Sequence, residues 1–263
     1  MHKTQRKLLS QNFLCNRELV KKLIRDSSIR SSDTVLEIGP GRGIITEQLL
    51  NVAREVVAIE LDPSLYTQLK QKFSDPKLSL IQRDFLDYSL PNRPYKVFSN
   101  IPFSITADIV RKLLNSALSE AYLVVQSEAA SKFIANSYRN TLVAILRYPW
   151  WEIKIIHRFN RDDFFPRPEV DSVLLNLKRR PVPLVPDSHR EIYLDYLAYF
   201  FGRDKFAKYT PPAEFLKSFF KAKNLRLVRG SFAKLQNEQS RLEKIHRTRT
   251  DSDWKRYNKT HAK

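Results

Sequence analysis

Four short segments place polar or conformationally free residues where the surrounding pattern ends a β-strand. The first, Val35-Leu36-Glu37-Ile38-Gly39-Pro40-Gly41-Arg42-Gly43, runs from an apolar β-type run into a glycine-rich turn and then an amphipathic stretch. Glycine lets a ligand approach the backbone, and the N-terminus of the following helix offers free N–H groups. The spacing is G-x-G-x-G followed by Ile44, so the third glycine of the G-x-G-x-x-G dinucleotide fingerprint is absent. Alone, the segment is either a ligand loop or a structural turn. A second run ends at Glu60, 21 residues after Gly39, where an acid accepts two hydrogen bonds from a ribose diol or merely ends a strand. A third ends at Asp84-Phe85, where a carboxylate accepts from an adenine amino group under cover of the ring, or else caps a turn.

The fourth segment, Ser99-Asn100-Ile101-Pro102-Phe103, addresses a specific chemical problem. An exocyclic aromatic amine is a poor nucleophile because its lone pair is delocalised into the ring. Acceptors held close to it, here the Asn100 side-chain oxygen and the Ile101 carbonyl, draw the nitrogen toward tetrahedral geometry. The localised lone pair can then attack an activated methyl group. Pro102 fixes φ and stiffens the turn. Phe103 offers a face on which a base taken out of its helix can stack.

These segments need a scaffold that sets strand ends side by side. Short β-rich runs cover Thr34–Ile38, Glu55–Glu60, Leu78–Gln82, Lys96–Ser99, Ala121–Gln126, Glu152–Phe159 and Ser172–Leu177. Amphipathic stretches, Ile44–Asn51, Ser64–Phe73 and Ile105–Leu114, lie among the first five. That alternation predicts a doubly wound α/β domain with a mostly parallel, seven-stranded sheet. The last two runs are too close for a crossover helix, so they predict a terminal antiparallel pair, the arrangement of class I methyltransferases. At Arg179-Arg180-Pro181-Val182-Pro183-Leu184-Val185-Pro186 the prolines break the pattern. Beyond them Ser188–Gly202, Pro212–Lys223 and Gln239–Arg247 predict a small all-α domain. In it Tyr193, Tyr196, Tyr199 and Phe200 recur at helical spacing and are expected as core. The expected boundaries are 1–180 for a catalytic domain, 181–247 for a helical one and 248–263 for a basic, flexible tail.

Composition narrows the class. The 263 residues are 42% hydrophobic and 28% charged, enough apolar material for a packed core rather than general disorder. One cysteine, Cys15, excludes a disulfide framework and fits a reducing compartment. The five histidines (His2, His157, His189, His246, His261) show no metal-ligand spacing, so no metal is expected. No apolar run is long enough for a membrane span, and the N-terminus lacks a signal peptide's apolar stretch. A soluble cytoplasmic protein is expected, with no membrane partner. The net charge is +18, and residues 221–263 alone hold 13 basic against 4 acidic groups. A polyanion partner is the natural reading, because each phosphate neutralised releases condensed counterions.

Taken in order, these residues resemble the rRNA adenine N6-dimethyltransferase superfamily. More narrowly they resemble the Erm family of large-subunit rRNA methylases, which confer macrolide, lincosamide and streptogramin B resistance. The resemblance is specific from about Ser10 to about Arg180 and weaker beyond. It includes Ser10-Gln11-Asn12-Phe13-Leu14, Leu36 to Gly43, Glu60, Asp84-Phe85-Leu86, Asn100 to Phe103, and Phe164-Phe165-Pro166-Arg167-Pro168-Glu169-Val170-Asp171-Ser172. Ile105-Thr106-Ala107 departs from the I-S-T that often follows the catalytic motif. The resemblance implies S-adenosylmethionine as methyl donor and one adenosine N6 of 23S rRNA, free or nascent, as acceptor, methylated once or twice by a monomeric enzyme. It implies that Asn12 and Leu14 close over the methionine end of the donor, with Gly39 and Gly41 beneath it. Glu60 would hold the ribose, Asp84 and Phe85 the adenine. Asn100 and Ile101 would meet the target amine, and Phe103 would stack on its base. Phe164 would offer a second aromatic face, although either it or Phe165 could be core. The sibling group typified by KsgA, which dimethylates small-subunit rRNA, more often has leucine and tyrosine in place of Ile101 and Phe103, and D-A-L in place of Asp84-Phe85-Leu86. A nucleic-acid-binding accessory protein that keeps the donor pocket without turnover is the alternative from another class.

Overall fold

Residues 12–203, 207–222 and 225–237 are described by the computed structural model. Ser10 and Gln11 of the N-terminal motif, Lys223, the expected helix at 239–247, the tail and three of the histidines (His2, His246, His261) lie outside them. Among the described residues the chain forms β1 (Phe13–Leu14), α1 (Arg17–Asp26), β2 (Thr34–Ile38), α2 (Ile44–Leu50), β3 (Glu55–Glu60), α3 (Pro63–Lys72), β4 (Leu78–Gln82), β5 (Tyr95–Asn100), α4 (Thr106–Leu114), β6 (Leu118–Gln126), α5 (Ser127–Ser131), α6 (Leu142–Arg147), β7 (Trp151–Arg158), β8 (Phe164–Phe165), β9 (Ser172–Arg179), α7 (Arg190–Arg203) and α8 (Pro212–Lys221).

The main sheet has seven strands in the order β4-β3-β2-β5-β6-β9-β7. β4, β3, β2, β5 and β6 run parallel, while β9 is antiparallel to both β6 and β7. This is the class I methyltransferase arrangement, terminal antiparallel pair included. Every residue of β2 is buried, as expected for a parallel strand covered on both faces. The order reverses between β2 and β5, and at such a switch point the carboxyl ends of neighbouring strands diverge and leave a crevice.

Local chemistry fixes the crossover helices. Asp62 caps α3, its Oδ1 accepting from the Ser64 and Leu65 N–H groups at 2.8 and 3.0 Å, with Pro63 at the first helical position. Asn16 caps α1 by accepting from the Leu19 N–H at 3.1 Å, and Val20, Leu23 and Ile24 bury one face of that helix. A core from α1, α2, β2, β5, β6 and β9 includes Val20, Leu49, Val35, Phe98, Tyr122 and Leu174.

A separate two-stranded ladder, β1 with β8, pairs Phe13 with Phe165 and Leu14 with Phe164. Asp163 reinforces it: its carbonyl accepts from the Cys15 N–H at 2.8 Å, and its Oδ1 from the Asn16 side-chain amide at 2.8 Å.

By contacts the chain divides into two units, 1–134 with 151–181, and 135–150 with 182–263. The second unit therefore includes a segment, 135–150, that precedes the proline break. Its core is aromatic: Tyr193 packs edge-on against Trp150 and Phe219, and Tyr196 against Phe219. Tyr193 and Tyr196 are buried as expected, with Tyr199 and Phe200 half-buried beside them.

Candidate active site

The strand ends of the sheet are stitched together by backbone N–H donors. Gly39 N–H donates to the Ile59 carbonyl at 2.9 Å, joining the turn after β2 to β3. Ile38 N–H donates to the buried Ser99 hydroxyl at 2.6 Å, joining β2 to β5. Arg83 N–H donates to the Glu60 carbonyl at 2.9 Å, joining β4 to β3. The four segments singled out in the sequence thus open onto one cavity of about 360 Å³, within the range of small-ligand sites. Asn12, Gly39, Glu60, Asp84, Phe85, Asn100, Ile101, Pro102 and Phe103 all line it.

Glu60 is 3% exposed. Its Oε2 accepts from the Gly41 N–H at 3.1 Å and its Oε1 from the Asp62 N–H at 2.9 Å. Each oxygen keeps a lone pair for a ligand hydroxyl. Burial pushes this carboxyl up, and the backbone donors at Asp62, Gly41 and Leu61 oppose that. Asp84 caps a turn, one of the two readings left open for it, and also stands at the cavity. Its Oδ1 caps the following turn by accepting from the Leu86 N–H at 2.8 Å, while the residue also lines the cavity beside buried Phe85.

Asn100 is anchored at the opposite wall. Its Nδ2 donates to the Asn12 carbonyl at 2.7 Å, which leaves Oδ1 as the free acceptor of the amide. Pro102 holds φ at −60°, and Thr106 Oγ1 donates to the Phe103 carbonyl at 3.0 Å, starting α4 behind the motif. The space beside Gly39 is open, with nothing within 4 Å of where a side chain would begin. A nucleoside fits this donor set: a glycine floor, one buried carboxylate with acceptor capacity to spare, another beside an aromatic ring, and an amide at the far end.

Three expected residues stand elsewhere. Leu14 is 6% exposed within the hydrophobic core and does not reach the cavity wall. Gly41 lies behind the wall, giving its N–H to Glu60 and its face to the Phe13 ring. Phe164 is 2% exposed and packs edge-on against Phe159 at 5.4 Å, so its ring is unavailable to a base. In a strand successive side chains face opposite ways, and Phe165, one residue on, is 64% exposed.

Phe13, given no role from the sequence, lines the cavity and carries the Arg42 guanidinium 5.0 Å from its ring centroid. Its place directly after Asn12 was the available signal. Leu61 and Arg83, each beside an assigned carboxylate, also reach the wall. Beneath the glycine turn, Glu37 is 1% exposed. Its Oε2 accepts from the Thr46 hydroxyl at 2.6 Å and its Oε1 has no partner. Burial above all pushes this carboxyl up to about 8. No cluster of three or more His, Cys, Asp or Glu suited to a metal occurs among the described residues.

Comparison with known proteins follows the same lines. A family model described as ribosomal RNA adenine dimethylase matches residues 2–205. An rRNA adenine N-6-methyltransferase of Bacteroides fragilis is 32% identical over 233 residues, 87% of this chain and 85% of its own length. The ribosomal RNA small subunit methyltransferase A of Mycoplasmopsis synoviae is 36% identical over 185 residues, 68% of this chain and 71% of its own. The crystal structure of the 23S rRNA methyltransferase ErmE superposes with a TM-score of 0.75 at 27% identity, over 81% of this chain and 100% of that one.

Proposed function

Since the chain belongs to the ribosomal RNA adenine dimethylase family, and is thus an S-adenosylmethionine-dependent rRNA adenine N6-methyltransferase, we propose that it acts on one adenosine of 23S rRNA. One or two methyl groups added to that N6 would block macrolide, lincosamide and streptogramin B binding. The observation that carries the reading is Asn100: its amide is oriented by the Asn12 carbonyl, so its acceptor stands at the cavity beside Ile101 and Phe103. The Asn100-Ile101-Pro102-Phe103 and Asp84-Phe85-Leu86 forms and the +18 charge favour the large-subunit substrate over the small.

In this reading Glu60 holds the ribose hydroxyls of the donor, and Asp84 with Phe85 holds its adenine. Bound there, S-adenosylmethionine supplies an electrophilic methyl group. Phe103 stacks on the extracted target base. Asn100 Oδ1 and the Ile101 carbonyl accept hydrogen bonds from its N6 amine and localise the nitrogen lone pair. Pro102 keeps those two acceptors at a fixed separation. The methylated nitrogen is positively charged and strongly acidic, so its surplus proton leaves to water without a dedicated base. No metal enters this account. The aromatic-cored helical unit and the basic C-terminal residues contribute affinity for the RNA backbone, which positions rather than specifies. The enzyme works in the cytoplasm as a monomer.

The test incubates the protein with methyl-labelled S-adenosylmethionine and, in parallel, naked 23S rRNA and small ribosomal subunits. Label at one adenosine of the large-subunit RNA is the expected result. Label in the small subunit alone would make the protein a KsgA-like enzyme, a reading that the Mycoplasmopsis synoviae relative keeps in view. Donor binding without transfer to either RNA would make it an accessory protein.

A further inference from the structure

α4 begins directly behind the catalytic turn, and one of its residues crosses to the opposite wall of the cavity. Lys112 Nζ donates to the backbone carbonyls of Phe85 at 2.9 Å and Leu86 at 2.6 Å. The same ammonium lies 5.2 Å from the centroid of the Phe85 ring. Its neighbour Arg111 behaves differently: it is exposed and pairs with Asp108 one turn back on its own helix, at 3.2 Å. Lys112 is turned inward instead. Burial draws its pKa below the ordinary lysine value, against the pull of the Asp87 and Asp84 carboxylates.

The turn it grips is anchored by the buried Phe85 ring but has few hydrogen bonds of its own. The Phe85–Asp87 segment is a single 3₁₀ turn, held by the Asp87 and Tyr88 N–H groups and the Asp84 cap. Such turns have poorer hydrogen-bond geometry than an α-helix, so an added donor to their carbonyls counts for more. An ammonium has three donors on a flexible stem, so it can satisfy two consecutive carbonyls and face a ring at once. The two walls of the cavity are thereby joined, Asn100–Ile105 through α4 and Asp84–Leu86 through Lys112.

We propose that Lys112 is a positioning residue for the nucleoside end of the methyl donor, holding the Asp84-Phe85-Leu86 turn against the helix that follows the catalytic motif. The inference rests on the reading above, in which Asp84 and Phe85 meet the donor's adenine. With the clamp removed, the turn moves independently of the catalytic wall, and binding must order it again. The effect therefore falls on donor affinity, and the chemical step at saturating donor is largely spared.

The test measures binding of S-adenosylhomocysteine and of 5′-methylthioadenosine to the full chain by calorimetry, with steady-state methyl transfer alongside. Lys112→Met keeps the stem and removes the donors. It should weaken both ligands about tenfold, the scale of one charge-assisted hydrogen bond, and raise KM for the donor by a similar factor. The kcat and the KM for RNA should change less than twofold. Lys112→Arg, which restores charged donors, should recover most of the loss, and Lys112→Gln, expected to show the same selective loss as methionine, stands in should the methionine variant fail to fold. Unchanged affinity in folded Lys112→Met would overturn the inference, as would a lower melting temperature with no selective loss for the donor. A loss for S-adenosylhomocysteine that spares 5′-methylthioadenosine would also overturn it, since the nucleoside would then not be what the clamp serves. Absence of S-adenosylhomocysteine binding in the wild type would instead bring down the donor reading itself.

Discussion

Asn100 uses both ends of one amide. Its Nδ2 is tied to the Asn12 carbonyl at 2.7 Å, and that bond decides where Oδ1 points. Asn100→Ala removes acceptor and anchor together, so transfer should fall about 10²–10³-fold, the usual loss for one preorganised electrostatic group. Single-turnover assays on naked 23S rRNA would measure it, with circular dichroism to check that the fold persists. Asn100→Asp tests orientation. It keeps the size but sets a carboxylate against the Asn12 carbonyl, and it should be about as inactive as alanine. Wild-type rates in either would remove Asn100 from the chemistry. Glu37 makes a separate prediction. Its carboxyl, pushed up to about 8, binds a proton more tightly in the folded chain than the unfolded value of 4.5 allows. A raised folded value means the folded state is favoured below about pH 4.5 and loses that advantage as pH rises toward about 8. Glu37→Gln should flatten the profile across that window, a difference on the order of 4 kcal/mol at the alkaline end. Denaturant melts of both proteins at pH 5 and pH 9 would measure it, and parallel profiles would refute the assignment.

At the scale of elements, the glycine turn between β2 and α2 separates binding from stability. Gly39 and Gly43 both hold positive φ, +64° and +79°, so alanine strains either by about 1–2 kcal/mol. Their surroundings differ. A Cβ at Gly43 would lie 2.5 Å from the Phe73 ring and 2.9 Å from Leu69, inside packed structure, while one at Gly39 meets nothing within 4 Å and faces the cavity. Gly43→Ala should therefore lower stability by about 2–4 kcal/mol, strain and overpacking together. Gly39→Ala should lower stability less and weaken S-adenosylhomocysteine binding at least tenfold. Equal losses in both measurements for the two variants would contradict the division. This turn was legible in the sequence because β2, the glycines and α2 each carry a strong local signal, and β2 runs over Thr34–Ile38 as expected. The β1–β8 ladder was not. Two-residue strands show no period, and their pairing depends on Asp163, which is 147 positions from the Asn16 it binds. The same limit leaves the choice between Phe164 and Phe165 open in the sequence, since only the ladder's register decides that Phe164 points into the core and Phe165 outward. α1 was missed although Asn16 and the spacing of Val20, Leu23 and Ile24 announce it. Its many charges hid a face only three residues wide.

For the whole molecule, the decisive property is the uneven charge. Residues 181–220 carry five basic and five acidic groups, whereas 221–263 carry 13 against 4. A solubilising surface has no reason to concentrate its excess in one stretch, but a surface that follows an RNA backbone does. Lys221 and Lys234 are exposed and lie in the described part of that stretch. If each meets a phosphate, each releases a counterion on binding, and each contributes about 0.7–0.9 to the slope of log K against log salt. The double variant Lys221→Gln/Lys234→Gln should therefore lower the magnitude of that slope by about 1.4–1.8, with the larger affinity loss at low salt. Filter binding of an rRNA fragment across a salt series would measure it. Affinity for S-adenosylhomocysteine should stay unchanged, because the cavity residues belong to the other contact unit. An unchanged slope would take these two lysines off the RNA path. A changed slope accompanied by weaker donor binding would mean that the variant had disturbed the fold rather than the RNA contact.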